Sequence, residues 1–326
     1  MPIARAHPVF IRPRAIGRQI RSEGVLIMTK VVRFFKKPEG AAYLFIFPAL
    51  AILLVFTVVP LAATLVFSLL NMDIFLQGFS FAGLDKFRKL LGDERFWNAL
   101  KNTVYFTVLQ VPLQIGLALA AAAFLTRSTP FRKMLRSVYF LPYVCSLTAI
   151  GIMWSFLLDP QTGLYMHYLE RIGLPRLAFL RDPDLAMPTV IAMTVWRNFG
   201  YSMVILIAGM QSIPQTYYEA AQMDGAGKVR QFFSITLPLL VPALSFCVIT
   251  ATIAALQVFD QIFVTTQGGP VHATESVVFY IYLTGFRLVP FDLGYASAMS
   301  VFLFLVIMAV TLAMNRYFLN REVSGN

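Results

Sequence analysis

The sequence predicts an all-α transmembrane protein, a bundle of six membrane-crossing helices with both termini cytoplasmic. Three observations lead there. Of 326 residues, 58% are hydrophobic and only 13% charged, whereas soluble domains carry about a quarter charged residues; so large a shortage makes lipid the main solvent. Six stretches are long and apolar enough to cross the hydrocarbon layer, which takes about 20 helical residues. Finally, basic residues gather in alternate loops.

The spans fall at about 42–70, 101–126, 136–158, 185–210, 237–260 and 293–316. The first lies inside a run, 40–72, that holds no charged residue, and the fourth is interrupted by Arg197. Backbone groups in lipid must bond within their own segment, and barrel strands would alternate in polarity, so uniformly apolar runs read as helices. The stretch Phe79-Ser-Phe-Ala-Gly-Leu-Asp-Lys-Phe, between spans one and two, reads as a short interfacial helix. No repeat and no soluble domain stands out.

Orientation follows from Lys and Arg in the loops. The tail up to Gly40 carries nine, and the loop 127–136 carries Arg127, Arg132, Lys133 and Arg136 with no acid. By contrast, 159–184 has three basic residues against four acidic ones, and 260–292 has only Arg287 against three acids. The formal charge of +11 therefore describes topology, and a nucleic-acid footprint is not needed to explain it. Residues 1–39 read as a basic, partly disordered cytoplasmic tail with no cleavable signal peptide, and Met28 is an alternative start. Residues 319–326 read as a short cytoplasmic tail.

Chemistry is sparse. Cys145 and Cys247 sit in apolar runs with no metal or disulfide spacing, and His7, His167 and His272 are scattered. No metal and no cofactor is expected. An intramembrane enzyme needs a nucleophile with its base, a metal pair or paired carboxylates, and none is encoded. The string Asp224-Gly-Ala-Gly-Lys228 resembles the end of a phosphate loop. It lacks the first glycine and the hydroxyl after the lysine, where Gln222 and Val229 stand. An ion-coupled carrier normally buries ionisable groups in its spans; here Arg197 is the one full charge well inside a span and Asp260 lies at an edge. Six spans are also few for a carrier built of inverted repeats, and both points weigh against a carrier working alone.

The loop 212–238, between spans four and five, is the informative segment. Ser212 is placed to cap a short helix with Pro214 in its first turn. Good helix formers run to Met223, and Gly225 supplies a left-handed stop. A second helix, about 228–236, leads to Pro238. On these features alone an ordinary amphipathic loop with a solvated acid is the simpler account. However, Glu219-Ala220-Ala221, Gly225 and Ile235-x-Leu237-Pro238 resemble, at the same spacing, the "EAA loop" of binding-protein-dependent importer permeases.

That resemblance implies a bundle of the type I ABC importer kind, in the inner or plasma membrane of a prokaryote. It implies no nucleotide site of its own, but a second homologous permease, two ATP-binding subunits and an extracytoplasmic solute-binding protein as partners. It makes the first short helix a coupling helix seated on an ATPase subunit, with Tyr218, Glu219, Ala220, Ala221, Asp224, Gly225 and Ala226 in that role. Asp260-Gln-Ile-Phe-Val-Thr-Thr-Gln-Gly-Gly-Pro270, Thr274-Glu275 and Phe291-Asp-Leu-Gly-Tyr-Ala-Ser-Ala298 are similar to the carbohydrate-uptake branch, which takes up sugars and glycerol 3-phosphate. Gln267 replaces a frequent glycine there, and the long N-terminal extension departs from the family pattern. A polar solute needs hydrogen-bonding groups and flat apolar faces along its path. Trp196, Arg197, Asn198, Tyr201, Gln257, Phe259, Asp260 and Gln261 are expected to supply them. A membrane scaffold, a channel component or a stand-alone carrier would have no reason to keep the loop pattern.

Overall fold

The computed structural model describes residues 38–73, 75, 80–173 and 175–324. Met28 and the basic tail up to residue 37 lie outside the described residues. The chain divides into two units, residues 1–63 and 64–326. In the first, α1 (Pro38–Leu53) runs through a π turn (Leu54–Val58) into α2 (Val59–Phe67), whose later residues belong to the second unit. Pro38 suits a helix start because its missing N–H would be unpaired there in any case.

In the second unit a two-residue antiparallel pair, β1 (Leu70–Asn71) with β2 (Ser80–Phe81), precedes α3 (Asp85–Leu91). The expected interfacial helix therefore starts at Asp85; Ser80 and Phe81 are extended, and Gly83 (φ +55°) turns the chain ahead of it. Three long helices follow: α4 (Glu94–Leu125), α8 (Pro183–Gln211) and α15 (Leu293–Ser324). With Phe45–Phe67 these make four helices long and apolar enough to cross a membrane. The α4 and α8 helices pack extensively on one another, burying Phe106, Ile115, Ala118, Val190, Met203 and Leu206 in the main apolar core.

The expected third and fifth spans are not straight. The third comprises α5 (Pro130–Val144) and α6 (Leu147–Leu157), bent by 95° across Cys145 and Ser146, which are both extended. Pro142, in the last turn of α5, weakens the helix just ahead of the bend. The fifth begins with α10 (Lys228–Gln231), a π turn (Phe232–Thr236) and α11 (Leu237–Leu239). It then bends by 68° into α12 (Val241–Leu256), with Pro238 and Pro242 on either side of the break. The helix ends at Leu256, short of the expected 260, and a separate helix, α13 (Asp260–Thr265), follows. Two of the π turns precede a proline in the continuing helix: Pro60 and Pro238. A residue without an N–H interrupts the ladder, and a wider turn absorbs the interruption.

The loops carry further helices. Between α6 and α8 lies α7 (Leu164–Arg171), and α9 (Gln215–Met223) lies between α8 and α10. After α13 comes α14 (Val277–Tyr282). A second core joins α3, α4, α14 and α15 through Leu90, Phe96, Val277, Tyr295 and Met299.

Asp93 holds this end of the bundle. Its carboxylate caps α4 through the N–H groups of Arg95 and Phe96 and accepts the hydroxyls of Tyr280 (2.8 Å) and Tyr295 (2.5 Å). Burial works to raise its pKa, but those four hydrogen bonds together hold it below the ordinary value. A depressed carboxylate adds stability at any pH above its unfolded pKa and loses it as pH falls through the folded one. The purified protein should therefore lose thermal stability below about pH 4, and Asp93→Asn should flatten that acid limb. An unchanged limb would mean that other groups set it.

Candidate functional site

Two regions carry the residues singled out from the sequence. The first is the loop after α8. Pro214 immediately precedes α9, and no side chain caps the helix. Ser212 does not cap it as expected: its hydroxyl donates to the Gly209 carbonyl at 2.8 Å, closing α8 instead. Too few residues separate Gln211 from Gln215 for one hydroxyl to serve both ends.

The far end of α9 follows the expectation. Gly225 has φ +76°, and its N–H donates to Gln222 while that of Ala226 donates to Ala221 at 2.8 Å. This paired closure satisfies the last carbonyls and needs a residue at ease in the left-handed region. The return into α10 is braced by a hydrogen bond between the Tyr218 and Thr236 hydroxyls (2.9 Å) and by Gln231 Nε2 donating to the Ala226 carbonyl (2.7 Å). Glu219, Ala220, Asp224 and Gly225 are exposed, Tyr218, Ala221 and Ala226 half-buried. Among the described residues Glu219 and Asp224 form no ion pair. Met223 is 89% exposed and Val229 73%, so a rigid, partly apolar ridge faces outward.

The second region is a cavity of about 320 Å³ between α4, α5, α8, α12 and α13. Of the eight expected pathway residues, Arg197, Asn198, Tyr201 and Gln261 line it. The other four do not. Trp196 packs edge-on against Trp154 on another face of α8 (5.7 Å, 79°). Phe259 stacks on Phe263 (5.3 Å, 21°), and Gln257 and Asp260 are exposed at the α12–α13 junction. The helix ends at Leu256, so these positions do not continue the face of α12.

Gln110, Gln114, Tyr143, Thr194, Ser202 and Thr250 also line the cavity and were not anticipated. Gln110 donates to Gln114, and Gln114 donates to the Ser202 hydroxyl at 2.9 Å. Gln110 Oε1 is buried with no partner among the described residues. Two amides four residues apart inside an apolar span were the available signal, since that spacing puts them on one helix face. Tyr143 and Tyr201 stack at 4.5 Å and 19°, presenting flat apolar surface beside these polar groups.

The segment that resembles the carbohydrate branch folds as a pinned loop. Glu275, 1% exposed, receives Arg95 Nε at 2.9 Å and a contact from His272 Nδ1. Asn102 Nδ2 donates to the carbonyls of His272 (2.9 Å) and Glu275 (3.1 Å). Gly268, at φ +80°, has Phe279 where a Cβ would stand, only 2.7 Å away. Among the described residues no group of three or more His, Cys, Asp or Glu could hold a metal ion.

Residues 114–323 match the family described as the binding-protein-dependent transport system inner membrane component. The lactose transport permease LacF of Rhizobium radiobacter is 36% identical over 86% of this chain and 94% of its own length. The sn-glycerol-3-phosphate transport permease UgpA of Agrobacterium fabrum is 34% identical over 82% and 91%. A probable ABC transporter permease of Bacillus subtilis, YesP, is 34% identical over 87% and 92%. Among solved structures, a chain of the bacterial alginate ABC transporter, in complex with an alginate pentasaccharide-bound periplasmic protein, superposes with a TM-score of 0.75. That match has 25% identity over 85% of this chain and 93% of that one. The helical bundle, the loop and these likenesses agree: the chain belongs to the family of inner membrane components of binding-protein-dependent transport systems, and is a multi-pass permease subunit of an ATP-driven importer.

Proposed function

We propose that this chain crosses the membrane six times with both termini cytoplasmic, each bent helix pair serving as one span. It forms half of a translocation pathway shared with a second homologous permease. ATP hydrolysis falls to two separate subunits, each seated on a coupling helix such as α9, and an extracytoplasmic binding protein delivers the solute. The observation that carries this reading is the loop itself: the family pattern occurs on a short helix with a closed C-terminus and an outward ridge. The basic tail and the basic loop 127–136, set against the acidic 260–292, support the orientation.

The solute proposed is a sugar or a related polyol or glycerol phosphate. Relatives named for lactose and sn-glycerol 3-phosphate transport support the class. So does a cavity whose lining amides and hydroxyls suit a polyhydroxylated molecule and whose stacked tyrosines suit a sugar face. Asn198, Tyr201 and Gln261, with Gln110, are the proposed solute contacts. Bound nucleotide must favour one state of the bundle over the other, since equal affinity for both shifts nothing.

The test is to tag the chain, express it with its genomic neighbours and extract it in mild detergent. Recovery with a second permease and an ATP-binding subunit, showing vanadate-sensitive hydrolysis, is expected. Recovery alone, under several gentle conditions, would point to a stand-alone carrier.

A further inference from the structure

The 95° bend after Val144 leaves the last carbonyls of α5 without a helical successor. Arg197, midway along α8, reaches them. Its Nη2 donates to the carbonyls of Tyr143 (3.3 Å) and Cys145 (3.4 Å), and Nη1 to Asn198 Oδ1 (3.0 Å). The guanidinium also lies 5.3 Å from the centre of the Tyr143 ring. One turn on, Gly200 lets the two backbones meet: a Cβ there would stand 2.0 Å from the Tyr139 carbonyl oxygen. A cation at a helix C-terminus answers both the unpaired carbonyls and the negative end of the dipole. Arg136 does the same for α4, donating to the carbonyls of Leu125 (3.0 Å) and Thr126 (2.9 Å).

The bend is thus fastened from α8, the helix that ends four residues before α9 begins. Beyond the bend, α6 lies against α13, with Gly151 so close to Val264 that a Cβ would stand 2.8 Å away. Helix α13 carries Gln261 to the cavity. The chain itself joins the loop to α8 through 212–214, and from α8 packed contacts run through Arg197 to the bend, and through α6 and α13 to the cavity wall.

We propose that Arg197 is a positioning residue for transport. It fastens the bend of the third span to α8, so that displacement of the loop is passed to α6 and the cavity wall. The inference rests on the reading of α9 as the coupling helix. The fork matters as well as the charge: Arg197 spans two carbonyls and an amide while stacking on a ring, which an ammonium cannot do at once.

Cys145 offers a direct readout, because it sits in the bend and is exposed, while Cys247 is buried. The test uses the assembled transporter in proteoliposomes, with N-ethylmaleimide labelling of Cys145 compared without nucleotide and after trapping with ATP and vanadate. The expected result is a rate difference of at least about threefold in the unaltered protein, absent in Arg197→Gln and reduced in Arg197→Lys. A difference that persists in Arg197→Gln overturns the proposal. If the Gln variant does not assemble, Arg197→Lys decides alone: a reduced difference supports the fastening and an unchanged one overturns it. If the unaltered protein shows no difference but Gly225→Asp still separates hydrolysis from uptake, α9 couples and only the inference about Arg197 fails. If Gly225→Asp has no effect either, the reading of α9 fails with it.

Discussion

Replacing Gly225 by aspartate is expected to abolish solute uptake by the assembled transporter, at least about tenfold, while ATP hydrolysis continues. The backbone there stands at φ +76°, where a side chain costs about 1–2 kcal/mol, and aspartate is among the residues that tolerate it best. A Cβ at this position would meet nothing within 4 Å, so the substitution clashes with nothing in its own chain and the protein should still be recovered from membranes. Its effect falls on the closure of α9 through Gly225 and Ala226 and on whatever surface faces the ridge. Paired measurements of uptake and vanadate-sensitive hydrolysis check this. Normal uptake by a variant present at normal levels contradicts it, whereas loss of both activities together would indicate failed assembly.

The largest loss of stability is expected from Glu275→Gln. The Glu275 carboxylate is 1% exposed and receives Arg95 Nε at 2.9 Å and 3.2 Å and Nη2 at 3.2 Å. Arg95 lies 4.9 Å from the centre of the Tyr280 ring. Removing one partner of a buried pair leaves the other charge uncompensated, a cost of about 3–5 kcal/mol in well-buried cases. Arg95 keeps some access to solvent, 32%, so about 3 kcal/mol is the appropriate scale here. Thermal unfolding of the purified complex should show a fall of several degrees. Arg95→Met combined with Glu275→Leu should recover much of it, because an apolar pair has no stranded charge. A single variant that melts with the unaltered protein would show that the loop is held by the Asn102 and Thr103 hydrogen bonds instead.

What the sequence disclosed depended on which physical signal each element left. Charge-free runs mark the membrane-crossing parts of α4 and α15 well, because length and apolarity are what a membrane demands of any helix. The breaks at Cys145–Ser146 and Leu240 left no such mark: the residues directly on either side of each break are apolar, so composition reads straight through the bend. The closure of α9 was legible because a left-handed end calls for glycine at one place, and Gly225 stands there. Its start was not. Ser212 satisfies the rule for a cap, but only the spacing of two helices in three dimensions decides which of them it closes. The cavity was half legible. Charge and aromatic rings point to Arg197 and Tyr201, whereas the neutral amides of Gln110 and Gln114 differ little in mean hydropathy from a polar span edge. Trp196, Gln257, Phe259 and Asp260 have the same polar or flat apolar chemistry but lie off this cavity. A helix end at Leu256 and the opposite face of α8 set them apart.

The central claim, that α9 is where this chain meets an ATP-binding subunit, can be tested by a photo-crosslinking residue in place of Ala220. That position is exposed, one turn before the closure, and carries no bulk of its own. Irradiation of membranes containing the whole transporter should yield a single major adduct with the ATP-binding subunit, and its yield should change between nucleotide-free and vanadate-trapped states. Adducts only with lipid or with a second permease, in membranes where the ATP-binding subunit is present, would contradict the account.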